Sequence, residues 1–178
     1  MPVAEIDQDG TVETPRLLLR PWRVSDAVIS HELWTERDPR VPAHRRIGAD
    51  GHPSLHDIEE WVRGYDGQPA PGVLVAALRE SGQVVGYCGL IANVHGQADE
   101  PELAFEFLRR VWGRGYATEA GSAVVELARA LGYRRLWATV RDWNGASRRV
   151  LAKLGFSETG RVDRDPAHGD SLFTARTL

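Results

Sequence analysis

The stretch RRVWGRGYATEAGSAVVELARALGY, Arg109 to Tyr133, decides how the chain folds. Its second half reads as a helix over Tyr116–Leu131, with Ala117, Ala120, Val124, Leu127 and Leu131 along one stripe and Gly132 as the C′ residue. Its first half places two glycines, Gly113 and Gly115, at the threshold of that helix, although glycine inside a helix costs roughly 1 kcal/mol against alanine. A helix that begins directly after a strand presents unpaired N–H groups and the positive end of its dipole, a ready site for a phosphate-bearing ligand. Glycines there let a ligand meet bare backbone. Arg109, Arg110 and Arg114 bring cations beside those amides.

Upstream, ADEPELAFEFLRR alternates Leu103, Phe105 and Phe107 with Glu102, Ala104 and Glu106, a strand with both carboxylates on one face. Downstream, RRLWATV is another strand, so Glu102 to Val140 is a β-α-β unit with a parallel strand pair. A last helix, DWNGASRRVLAKLGF, has Asn144 as N-cap and ends at Gly155 and Phe156 in a Schellman turn, Phe156 folding back on Val150 or Leu151. Toward the N-terminus, Arg16 to Trp22 reads as a first strand and SDAVISHELWTE as a helix capped by Ser25 or Asp26. Asp38 to Pro53 is a long irregular loop, and a helix restarts at Ser54. GVLVAALRE and QVVGYCGLIAN form a hairpin, and two strands around a Pro/His/Gly turn close the chain. The whole is one mixed α/β (α+β) domain over residues 1–178, with residues 1–13 expected as a flexible leader.

Three phosphate cradles are conceivable. A Walker loop lacks its lysine, and a dinucleotide fingerprint fails at the third glycine, where Thr118 stands. The third pattern, Arg/Gln-x-x-Gly-x-Gly/Ala, is met by Arg110 to Gly115. With ELAFEFLRRVWGRGYATEA followed by LWATVRDWNGASRRVLAKLGF, and TPRLLLRPW at the start, the chain resembles a GCN5-related N-acetyltransferase (GNAT) of the RimJ/RimL-like, ribosomal-protein-alanine acetyltransferase branch.

The resemblance implies a mixed twisted sheet with a splayed parallel strand pair, flanked by helices. It also implies acetyl-CoA as co-substrate and direct acetyl transfer to a primary amine, either a protein N-terminus or a small molecule. The pyrophosphate would sit on the amides of Arg110 to Ala117, including Gly113, Arg114, Gly115 and Tyr116, with Thr118 adding a hydroxyl. The pantetheine arm would pair with the backbone near Phe107 and Leu108. Asn144 would hydrogen-bond that arm, and Ser147 would donate a proton to the leaving thiolate. Glu102 and Glu106 are the candidate general bases, although Glu106 departs from the branch, which commonly carries a bulky apolar residue there. A non-catalytic acyl-CoA sensor on the same fold is the alternative reading.

Composition narrows the partners. A net charge of -3 argues against nucleic-acid binding through bulk electrostatics. No apolar run suits a membrane, and no signal peptide is evident, so a cytoplasmic protein is expected, with a homodimer allowed. The six histidines have no metal spacing, so no metal is expected, and Cys88 reads as structural. Acceptor choice would lie in the Arg37 to Pro53 loop and the Asp163 to Asp170 turn. The carboxylates Asp99, Glu100, Glu102 and Glu106 would favour a cationic amine.

Overall fold

The computed structural model describes residues 10–65, 72–95, 97 and 99–178. Its strands are β1 (Val12–Glu13), β2 (Leu17–Arg20), β3 (Val73–Leu78), β4 (Val84–Ile91), β5 (Glu102–Phe107), β6 (Arg135–Arg141), β7 (Ser157–Asp163) and β8 (Ser171–Thr177). The helices are α1 (Ala27–Glu36), α2 (Leu55–Tyr65), α3 (Tyr116–Ala130) and α4 (Gly145–Lys153). The strands form one sheet in the order β1-β2-β3-β4-β5-β6-β8-β7, and only the β5–β6 pair is parallel. This is the mixed, helix-flanked architecture that the sequence suggests.

The inward faces of β2 to β6 and the stripe of α3 make one core. Ala120, Val124, Leu127 and Ala128 of α3 are buried in it with Leu19, Val85, Leu103, Phe107 and Leu136. Tyr133 donates its N–H to Ala128 and Gly132 to Arg129, a Schellman closure of α3 with Gly132, at φ +85°, in the expected C′ position. Leu131 departs from expectation. The helix stops at Ala130, and Leu131, turned out by the cap, is 47% exposed. At the other helix the Phe156 N–H returns to the Leu151 carbonyl, and both side chains join the core.

Two further boundaries shift. Val12 and Glu13, expected within the leader, pair with Leu19 and Leu18, and Val12 is fully buried. The first expected strand shortens to Leu17–Arg20, and residues 24–26 form a 3₁₀ turn before α1. Asp26 occupies the N-cap position of α1 without capping it through its side chain. Its carboxylate accepts from both Arg20 terminal nitrogens, at 2.7 and 2.9 Å, and from the Arg23 N–H at 2.8 Å.

Burial opposes the charge on Asp26, but the Arg20 and Arg23 hydrogen bonds outweigh it and hold the carboxyl below the ordinary carboxylate range. The folded-state value is therefore the lower one. The pair's contribution is complete above the unfolded value of about 3.9 and is lost as pH falls below it toward the folded value. Thermal unfolding followed from pH 6 to 2.5 should show Asp26→Asn less stable than wild type at pH 6, with the gap closing below about pH 4. A gap independent of pH would mean that the charge on Asp26 contributes nothing.

Candidate functional site

β5 and β6 are joined at one register pair, Glu102 opposite Trp137, with the Trp137 N–H donating to the Pro101 carbonyl at 3.0 Å. Beyond it the strands diverge, and the Glu102 carboxylate reaches across to accept from the Thr139 N–H at 2.8 Å. On its other side β5 runs antiparallel to β4, and the Leu108 N–H donates to the Val85 carbonyl. Because backbone groups alternate along a strand, Phe105 and Phe107 turn theirs toward the opening. The Phe107 carbonyl already accepts from the Trp112 indole N–H at 2.6 Å, and both backbone groups of Leu108 are bonded, to Val85 and Val111. Of the two residues expected to offer a strand edge, Phe107 therefore faces the opening and Leu108 does not.

A 3₁₀ turn at Arg109–Val111 follows β5. Gly113 and Gly115 then take φ of +75° and +83°, the left-handed region that disfavours any side chain. The glycines are thus required first by conformation and only then by clearance. The first helical bond of α3 runs from the Glu119 N–H to the Gly115 carbonyl. Among the described residues no acceptor meets the amides of Gly115, Tyr116, Ala117 and Thr118. Four donors at the positive end of a 15-residue helix lie together at the mouth of the strand opening.

The arginines beside this turn are placed differently from expectation. Arg109 donates its N–H to the Glu36 carboxylate at 2.7 Å and its guanidinium to the Glu36 carbonyl, while Arg110 pairs with Glu32. Both lean on α1. Arg114 is exposed at the turn itself. The cation that braces the turn is Arg16, just ahead of β2. It donates to the Arg114 carbonyl at 3.0 Å, lies 4.7 Å from the Tyr116 ring centroid and pairs with Glu119 at 2.6 Å. The Thr14 hydroxyl also donates to Glu119, at 2.7 Å. Burial works against the charge on Glu119, yet Thr14 and Arg16 hold its carboxyl below the usual range. The sequence carries this link only as the paired fragments TPR and TEA, with no spacing rule to connect them.

Across the opening, Asn144 caps α4 by accepting from the Ser147 N–H at 3.1 Å, so its side-chain NH₂ remains a donor. Ser147 is half-buried, and among the described residues its hydroxyl has no hydrogen-bond partner. Glu106 sits on the β4 side. Arg37 grips it bidentately, Nε to Oε1 at 2.8 Å and Nη2 to Oε2 at 2.6 Å, and the Tyr87 hydroxyl donates at 3.0 Å. Burial, and then the Glu106 charge, push the Tyr87 hydroxyl well above the usual tyrosine range, so it stays a donor. Opposite Phe107, Gly86 permits the close approach of β4 and β5, because a Cβ there would stand 2.3 Å from the Glu106 carbonyl oxygen. Cys88, next along β4, is buried, and burial pushes its thiol well above the usual range, in keeping with a structural role. Arg37 and Tyr87 escape sequence reasoning because their partner lies 69 and 19 residues away.

A family model described as an acetyltransferase (GNAT) domain matches residues 16–157. The chain is 31% identical over 119 residues to the uncharacterized protein YkkB of Bacillus subtilis, an alignment covering 60% of this chain and 66% of that one. It is 35% identical over 85 residues to the uncharacterized N-acetyltransferase YoaA of the same organism, covering 46% of each. The chain thus spans under two thirds of these relatives' lengths. Among solved structures, a GNAT-family acetyltransferase from Bacillus anthracis superposes with a TM-score of 0.76 at 20% identity, covering 94% of this chain and 98% of its own. A ribosomal-protein-S5-alanine acetyltransferase from Vibrio fischeri gives 0.68 at 17%, covering 94% and 96%. A spermidine N-acetyltransferase variant from Vibrio cholerae gives 0.72 at 17%, covering 92% and 95%. At these identities the structural likeness is one of fold.

Proposed function

The chain belongs to the GNAT acetyltransferase family, and on that premise we propose that it transfers the acetyl group of acetyl-CoA to a primary amine. The carrying observation is the opening between β5 and β6, which ends at four unpaired helix amides behind two left-handed glycines. Acetyl-CoA fits these residues. Gly115, Tyr116, Ala117 and Thr118 offer N–H donors to a pyrophosphate, Phe105 and Phe107 offer strand-like groups to an amide-bearing arm, and the Asn144 side-chain NH₂ is available to it.

Transfer begins when the neutral amine nitrogen attacks the thioester carbonyl carbon. The C–N bond forms, the C–S bond breaks, the amine loses a proton and the departing thiolate gains one. Ser147 is the residue assigned to give that proton, since its hydroxyl is uncommitted. Glu102 retains one oxygen not used by Thr139 and is assigned to take the amine's proton through water. Glu106 remains a second candidate by position, but its pairing with Arg37 and Tyr87 assigns it to the walls of the site. The RimJ/RimL-like branch is consistent with the sequence motifs. Protein N-termini and small amines both stand as acceptor classes, as the names of the two enzymes superposed above illustrate.

Ser147→Ala should lower kcat by about 10²-fold, the lower end of a proton-transfer contribution, with KM for acetyl-CoA unchanged. Steady-state release of free CoA with a panel of amines measures both constants. Equal losses in binding and turnover would remove the proton-donor assignment.

A further inference from the structure

Where β5 and β6 diverge, two loops cross the gap between them, both on the face of the sheet turned away from α3. Leu103, Phe107, Leu136, Ala138 and Val140 enter the core with α3, so Glu102, Glu106 and Thr139, which alternate with them, point the other way. Thr139 is exposed on that face, and Phe173, opposite it on β8, shares the face.

At the narrow end, the turn before β5 reaches β8. His95 packs edge-on against Phe173, with ring centroids 5.1 Å apart, and its carbonyl accepts from the Arg161 guanidinium at 3.0 Å. At the wide end, the loop after α1 crosses. Arg37 grips Glu106 near the end of β5, and three residues on Arg40 lies 4.1 Å from the ring centroid of Trp143, just past the end of β6. Three residues reach about 10 Å at most, so a short, taut segment spans the mouth of the opening. Between the two crossings Thr139 is left exposed and Glu102 partly so.

The ends of this segment are held unequally. The Arg37 side chain is 11% exposed and has both Glu106 oxygens, the Arg45 carbonyl and the Trp34 ring as partners. The Arg40 side chain is 56% exposed. Asp38 accepts from its Nε and Nη2 at 2.9 and 2.8 Å, which orients the guanidinium and leaves its flat face to the indole. Trp143 is itself fixed. Its indole N–H donates to the His168 carbonyl at 2.7 Å, and Gly169 lies so close that a Cβ there would stand 2.4 Å from the ring. The yielding partner in the contact is therefore Arg40, on a segment anchored at Arg37.

A thioester in the opening needs such a cover, because water competes with the amine. When water attacks the carbonyl carbon, a C–O bond forms as the C–S bond breaks, the thiolate takes a proton from that water, and acetic acid and free CoA leave. Keeping bulk water from the reacting carbon suppresses this loss. We propose that Arg40 and Trp143 are positioning residues for acetyl transfer. Their contact latches residues 37–40 across the wide end of the opening, which confines the amine to the port over Glu102 and Thr139 and shields the thioester from solvent. This deepens the acetyl-transfer reading and rests on it.

The test compares wild type with Arg40→Gln and Arg40→Lys; Arg40 is largely exposed, so both variants should fold. Free CoA is followed with acetyl-CoA alone, then with spermidine, 2-phenylethylamine or a short peptide with a free N-terminus added. In Arg40→Gln, release without amine should rise at least ~10-fold as solvent enters. Its kcat/KM for the amine that wild type uses best should fall at least ~10-fold, the scale on which a misplaced reactant loses rate. KM for acetyl-CoA should not change, because the latch lies on the face away from α3. Arg40→Lys, which returns a cation to the ring, should recover most of both effects. Amide exchange over residues 38–46, measured without ligand, should be at least ~10-fold faster in Arg40→Gln and near wild type in Arg40→Lys. Unchanged exchange overturns the latch whatever the kinetics. In an active enzyme, faster exchange with both rates of CoA release unaltered overturns it too. Faster exchange in a protein that releases no CoA under any of these conditions supports the latch and counts against the acetyl-transfer reading instead.

Discussion

Gly113→Val should weaken acetyl-CoA binding by at least ~100-fold while costing no more stability than Gly132→Val. Both positions are left-handed, at φ +75° and +85°, and a Cβ at either meets nothing within 4 Å in the protein. The strain of holding a branched residue there is of order 1–3 kcal/mol in each case. The difference is location. Position 132 closes the far end of α3, and position 113 faces the unpaired amides at its start. Thermal unfolding with and without saturating acetyl-CoA separates strain from ligand loss, because a ligand at about 100 times its Kd adds roughly 2.7 kcal/mol. The expected result is two variants with similarly lowered midpoints, of which only Gly132→Val recovers with ligand. Recovery of both would remove the phosphate site from this turn.

Glu106→Leu should destabilise the protein by about 3 kcal/mol, the scale for stranding one partner of a buried ion pair. For a chain of this size that is roughly 6–12 °C in Tm. Arg37 is only 11% exposed at its side chain, and without Glu106 its charge would keep the Arg45 carbonyl at 2.8 Å and the Trp34 face but lose both carboxylate bonds. The double variant Arg37→Leu/Glu106→Leu should regain most of the loss, since two apolar groups replace two desolvated charges. Additive losses in the double-mutant cycle would show that the pair is not coupled and that Glu106 matters for packing alone.

What could be read beforehand was local or periodic. Gly113 and Gly115, the capping Asn144, the C′ glycine Gly132, the Schellman end at Gly155 and the alternation in β5 each declare themselves within a few residues. The divergence of β5 and β6 was legible only through resemblance, because no periodicity reports where two strands stop pairing. What escaped were side chains whose partners lie far along the chain. Arg109 and Arg110 looked like cradle cations because they adjoin the glycines, yet Glu36 and Glu32 sit within reach after α1 packs. Arg16 joins the turn from 98 residues away.

The single ladder contact between β5 and β6 makes the sheet two leaves on one hinge, β1 to β5 and β6 to β8, with α3 as the strap between them. Such a sheet gains its last rung from whatever fills the gap. An occupant that bonds Phe105 and Phe107 on one leaf and α4 on the other would join both into one cooperative unit. Amide-exchange protection should then rise on both leaves together, well away from the atoms the ligand touches.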